Sequence, residues 1–196
     1  MQLHKRDLVE KATAILDTYG IADLTMRRLA RELDVTPGAL YWHFANKQQL
    51  LGAVADHILG SVVDAPGGWR DRVTAICAAL RDALLSRTDG AELVSASFAA
   101  GQSEVMARIL DGLADAAEET GVERPHADLA ARTVVYYVLG FTADEQSRLQ
   151  WDAAGAELPE RQSVWAEDAD ARFAFGLGLL VDGIAAHSAA VVGRPE

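Results

Sequence analysis

The chain has one cysteine, Cys77, which excludes an internal disulfide and a cysteine-based zinc site. It stands among Ile76, Ala78 and Leu80, the setting of a buried, inert thiol. Lysine is scarce too, with Lys5, Lys11 and Lys47 all lying in the first 47 positions. No apolar run reaches the roughly 20 residues of a membrane-spanning helix, and no charged-then-apolar leader opens the chain. The expectation is a cytoplasmic protein without a membrane partner. No segment alternates with period two over a useful length, so the expected class is all-α. His4, His43, His57, His126 and His187 are scattered, and no Ser/His/acid or Cys/His grouping can be assigned. There is no glycine-rich phosphate loop. Neither an enzyme, a cofactor nor a resident metal is expected.

Charge is divided unevenly. The net value is −11, yet residues 1–47 hold seven basic against six acidic side chains, or +1, leaving −12 for the remainder. Basic groups in the first segment can act locally on an anionic partner, while the acidic remainder discourages non-specific adhesion. Charge alone does not point to DNA.

Residues 24–51, LTMRRLARELDVTPGALYWHFANKQQLL, do. Thr25 is a plausible N-cap for a short helix whose apolar face is Leu29, Ala30 and Leu33. Asp34 occupies the turn, where a short polar side chain tolerates a left-handed backbone. Pro37 suits the first turn of a second helix, Thr36 to His43, anchored by Leu40, Phe44 and a ring from Tyr41 or Trp42. A preceding helix, Lys5 to Tyr19, faces Leu8, Ala12, Ile15, Leu16 and Tyr19 inward, and Gly20 stops it. This is a helix-turn-helix pattern whose second helix suits the major groove of double-stranded DNA.

The LTMRRLA run, the LYWHF cluster at Leu40 to Phe44, and Asn46-Lys47 before Leu50-Leu51 resemble the TetR (tetracycline repressor) family of bacterial transcription regulators. The resemblance implies an N-terminal three-helix DNA-binding domain over residues 1–47 and a helical ligand-binding and dimerisation domain over 48–196. It implies a homodimer on palindromic operator DNA, responsive to a small-molecule inducer. Within the reader, Arg27 is the candidate for bidentate guanine recognition. Thr25, Tyr41, His43 and Lys47 are candidates for phosphate contact. Pro37, Gly38 and Ala39 offer close approach or thymine-methyl contact, and Arg28, Thr36 and Trp42 complete the expected DNA-binding set.

Beyond the reader, helices are expected over Gln48–Val63, Trp69–Ser86, Glu92–Ala99, Gly101–Thr120, Pro125–Gln150 and from Asp168 or Asp170 to Val191, with an exposed loop at 152–168. The helices around Tyr137 and Leu177 are apolar on more than one face and carry Gly140, Gly176, Gly178 and Gly183. Glycine inside a helix costs ~1 kcal/mol against alanine, so close helix–helix approach is the expected compensation. Such faces suit a four-helix bundle with a second copy, or burial within one chain. The segments YVLGFTADEQ, RFAFGLGLLVDGI and ALLSRTDGAE resemble the tetracycline-repressor branch in particular. Drug-binding members of that branch hold a magnesium chelate through a histidine and acidic groups. Here the resemblance places Val94 at the metal histidine, Ile76 and Leu80 at polar and aromatic drug contacts, and Val63 near a drug-contacting histidine. Only the acidic segment Asp144-Glu145 survives. The expected inducer site is therefore apolar, with Val63, Ile76, Leu80, Val94, Phe98, Met106, Ile109, Leu110 and Asp144 as candidates, although any one of these also suits ordinary core. The leading expectation is a repressor that the inducer releases from its operator; activation is left open, and the alternative is a dimeric helical adaptor or small-molecule-binding protein with no regulatory role on DNA.

Overall fold

Short-range capping and turn chemistry set the first helices. The computed structural model describes residues 3–62, 66–156 and 168–192, the last five of these by backbone alone. Helix α1, Lys5–Asp23, opens with the Asp7 carboxylate accepting from the His4 N–H at 3.1 Å. It breaks at Gly20, whose φ of 77° leaves the helical region and separates a final turn. Leu8, Ala12, Ile15 and Leu16 are buried as expected, but Tyr19 is 49% exposed. Its ring does not enter the core; the Arg28 guanidinium lies 3.5 Å from its centroid.

The next three helices are α2, Met26–Glu32, α3, Pro37–Tyr41, and α4, Lys47–Leu59. The Thr25 hydroxyl accepts from the Arg28 N–H at 3.1 Å. Asp34 is left-handed at φ 54°, and Pro37 stands in the first turn of α3. Leu40 and Phe44 are buried, whereas Tyr41 and Trp42 are both exposed, so neither ring anchors α3. The Asn46 side chain caps α4 by accepting from the Gln49 N–H at 2.9 Å. Gly60 ends α4 four residues short of the expected Val63, since glycine is a poor helix former. Val62 thus lies beyond the helix, and Val63 falls outside the described residues.

Helices α5, Trp69–Leu85, α6, Gly90–Ala99, α7, Glu104–Glu118, α8, Arg124–Ala153, and α9, Ala169–Val192, complete an all-helical architecture among the described residues. Helix α7 starts at Glu104 and not at Gly101. Gly101 takes φ 63°, and the Ser103 hydroxyl accepts from the Met106 N–H at 3.0 Å. The expected loop at 152–168 lies mostly outside the described residues; α8 itself runs on to Ala153.

By contact the chain divides into Met1–Ser61 with Asp82–Ala107, and Val62–Arg81 with Arg108–Glu196. In the first unit α4 packs on α1 and α6 over a core that includes Leu8, Leu16, Leu29, Leu40, Phe44, Leu50, Leu59 and Leu93, all fully buried. Two polar fasteners tie the helix-turn-helix segment to the second stretch of this unit. Asp56 on α4 accepts from the Ser103 hydroxyl at 2.6 Å and the Val105 N–H at 3.0 Å, supplying a negative charge at the start of α7. Asp89, left-handed at φ 51°, accepts from the Ile21 N–H at 3.0 Å, while Arg87 pairs with Asp17 at 2.9 Å.

The second unit has its own core, in which α8 packs on α9. Burial pushes the Cys77 thiol up to about 12, so it is not a thiolate at neutral pH. Of the four glycines expected at helix seams, Gly176 alone meets a neighbour among the described residues. A Cβ there would collide with the Tyr137 ring, whose Cζ stands 2.6 Å away, whereas Gly140, Gly178 and Gly183 face open space. The Tyr137 hydroxyl donates to the Phe173 carbonyl at 2.9 Å.

Gly52 permits a close backbone approach within the first unit, because a Cβ there would overlap the Gln102 carbonyl oxygen and stand 2.8 Å from its carbon. Gly52→Ala is predicted to destabilise the chain by about 1–3 kcal/mol in urea unfolding, the usual cost of overpacking. A cost below about 0.5 kcal/mol, as at ordinary surface sites, would contradict this packing.

Candidate nucleic-acid interface

The three short helices sort the expected DNA-binding residues by exposure. Leu29, Ala30, Leu40 and Phe44 fill the interior, leaving Thr25, Arg27, Thr36, Pro37, Gly38, Tyr41 and Trp42 exposed and Ala39, His43 and Lys47 half-buried. Trp42 is 91% exposed, an unusual placement for the largest apolar side chain. Exposed apolar surface of this kind marks an interaction site. Phe44 is held beneath the Lys5 ammonium, 5.1 Å from its ring centroid.

The two neighbouring arginines of α2 have different fates. Arg28 donates to the Asp23 carboxylate at 2.6 Å and stacks on Tyr19, so its charge is spent within the protein. Arg27 is exposed and has no ion-pair partner among the described residues. Arg31, one turn further along α2, is exposed and unpaired in the same sense. It was absent from the sequence-derived set, although its i+4 spacing from Arg27 puts both on one helix face. Lys11 is paired with Glu32 at 3.3 Å and Arg6 with Glu10 at 2.7 Å. Among the described residues of α2 to the start of α4, the available cations are therefore Arg27, Arg31 and Lys47. Of these, Arg27 and Arg31 carry the planar fork that matches a guanine edge, and Lys47 does not.

This reader is what the known proteins share. A profile for bacterial regulatory proteins of the tetR family matches residues 8–54, and one for the tetracyclin repressor-like C-terminal domain matches residues 64–188. The chain belongs to the TetR family. The class A tetracycline repressor protein from transposon 1721 of Escherichia coli is 32% identical, over 94% of this chain and 91% of that protein. The crystal structure of Mycobacterium smegmatis BioQ is similar at TM-score 0.88 and 64% identity, covering 95% of this chain and 99% of that one. A crystal structure of BioQ with its natural double-stranded DNA operator matches at TM-score 0.82 and 62% identity, over 95% of this chain and all of that one. As a TetR-family member the chain is a helix-turn-helix DNA-binding regulator.

The expected inducer residues are spread over both units. Val94 and Met106 are buried and Phe98 is half-buried in the first; Ile76, Leu80 and Ile109 are buried and Leu110 half-buried in the second. That burial is equally what core positions show. Asp144 is exposed. Its neighbour Glu145 is engaged by Arg81, a residue sequence reasoning passed over. Arg81 is 8% exposed and binds Glu145 through two parallel bonds of 2.9 and 2.7 Å. A third bond, 2.7 Å, runs to Asp170, and the guanidinium lies over the Phe173 and Phe141 rings at 5.0 and 5.8 Å. The Glu145 bonds lead in raising the Arg81 pKa above its ordinary value, so it stays charged throughout. Nothing local in the sequence pairs positions 64 residues apart.

Arg27→Ala is predicted to relax base preference at one position per half-site, a loss of ~1–3 kcal/mol of discrimination. Lys47→Ala should instead weaken all sequences alike and lower the salt slope by about 1 per half-site. Competition binding against randomised operators checks both, and an equal loss on every sequence from Arg27→Ala would remove Arg27 from the reading surface.

Proposed function

We propose that this chain is a cytoplasmic, homodimeric repressor that grips palindromic operator DNA through Arg27 and α3 and releases it on binding a small, largely apolar inducer. Residues 1–47 act as reader and residues 48–196 as the ligand-binding and dimerisation region, with no catalytic role. The observation that carries the reading is the exposed surface of Thr25, Arg27, Thr36 to Gly38, Tyr41 and Trp42 on a helix-turn-helix scaffold. The relative bound to its DNA operator at 62% identity supports it.

Dimerisation is supported by the outer faces of α8 and α9. Leu129, Tyr136, Phe175 and Leu179 are each at least 60% exposed. Gly140, Gly178 and Gly183 leave open space beside them. Four large apolar side chains on two helices packed together suit a self-complementary two-fold seam.

An inducer without magnesium is supported by the Arg81 pair. In drug-binding relatives the resemblance puts a metal beside the acidic segment; here a resident guanidinium neutralises Glu145, and Val94 is fully buried with no lone pair to offer. A hard cation needs several oxygen ligands, and exposed Asp144 alone does not supply them. A dimer that populates two reader spacings gives up DNA in proportion to the inducer's preference for one of them.

Thermal unfolding with a panel of apolar compounds is predicted to identify an inducer that also dissolves the operator complex. At a hundredfold excess over its Kd a ligand stabilises the folded state by about 2.7 kcal/mol. Added magnesium or EDTA should not alter that shift. Magnesium-dependent stabilisation by tetracycline would overturn the metal-free site.

A further inference from the structure

Beyond the contact of Tyr137 with Gly176, an open pocket of about 310 Å³ beside α8 and α9 is lined by Val122, Val134, Leu180 and Ile184, together with Leu179 and Gly183 at the edge of the proposed dimer seam. Two imidazoles, His126 from α8 and His187 from α9, join that lining. Their ring centroids are 5.4 Å apart and the planes are inclined at 77°. Both residues are exposed.

That separation is chemically informative. A zinc ion binds imidazole nitrogen at about 2.0–2.1 Å, which puts each ring centre roughly 3 Å from the metal. Two rings sharing one tetrahedral ion then stand about 5 Å apart. The pair therefore already has the spacing of a chelate, and side-chain rotation alone can aim one nitrogen of each ring at a common point. The two histidines sit on different helices, so an ion between them would link α8 to α9. Among the described residues no third histidine, cysteine or carboxylate completes a three-residue group. Water would take the remaining positions, and the adjoining pocket has room for it.

We infer that His126 and His187 form a two-imidazole site for a borderline divalent transition ion, with zinc as its ligand, clasping α8 to α9. It uses none of the residues assigned to the reader or to the inducer. Imidazole nitrogen, and not carboxylate oxygen, makes the site selective for zinc-like ions over magnesium.

Calorimetric titration of zinc into the untagged, EDTA-treated, full-length protein tests the inference. Wild type should bind one ion per chain. His126→Ala and His187→Ala should each weaken binding by at least the roughly tenfold that even outer-sphere changes cost a metal site. His57→Ala, which alters an exposed histidine on α4, should leave it unchanged. Zinc should also raise the melting temperature of wild type and of His57→Ala, but not of the two variants, because an ion joining two helices binds the folded state preferentially. No binding by wild type, or unaltered binding by both His126→Ala and His187→Ala, would overturn the site.

Discussion

The attachment of α4 to the turn between α6 and α7 is the constraint on which the reader depends. Helix α4 begins at the Asn46 cap, directly after α3, so whatever fixes α4 also fixes the recognition surface. Gly52 lets the backbone at Gln102 approach, and Asp56 accepts three bonds from Ser103, Glu104 and Val105. Asp89 and Arg87 hold the far end of α1 in the same way. Polar links of this kind have a defined geometry, unlike apolar packing alone; a part-buried bond to a charged group contributes on the order of 1.5–3 kcal/mol, and an exposed pair such as Arg87–Asp17 about 0–1 kcal/mol. A reader held so firmly moves with α6 and the start of α7, or not at all.

Charge is spent with the same economy. An acidic protein can hold DNA only if its few free cations are where the phosphates are, and internal pairing decides which remain free. Arg28 is neutralised by Asp23 and Lys11 by Glu32, leaving Arg27, Arg31 and Lys47 without an ion-pair partner among the described residues of α2 to the start of α4. In the body the logic reverses. Arg81 is drawn inward to satisfy Glu145 and Asp170, and the half-buried Glu145 carboxylate, which would otherwise attract an external cation, is met by one supplied by the chain. Removing one partner of such a buried pair is costly because it strands the other charge.

What the sequence made legible was local. Thr25 as a cap, Asp34 in the left-handed region, Pro37 in the first turn of α3 and Gly20 as a stop each depend on a few neighbouring residues. The helical class followed from periodicity for the same reason. Residues whose roles depend on distant partners were not legible. Tyr19 has the spacing of a core residue but is claimed by Arg28, and Gly176 is distinguished from Gly178 only by the position of Tyr137. The bonds from Arg81 to Glu145 and from Asp56 to Ser103 span 64 and 47 positions, where no pattern in one sequence links them. Trp42 is the instructive case between these. Its helical register allowed burial, and its exposure became visible only once Leu40 and Phe44 had filled the space beneath.

A dimer whose readers stand at one spacing when bound to DNA recognises the spacing of its half-sites as well as their bases. Fluorescence anisotropy on the palindrome recovered from the chain's own upstream DNA, compared with the same palindrome carrying about 5 inserted central base pairs, tests this most directly. The insertion turns one half-site by about half a helical turn without altering either half-site's bases. The account predicts that affinity falls to the non-specific level, about a thousandfold or more weaker. Equal affinity for the two DNAs would contradict it.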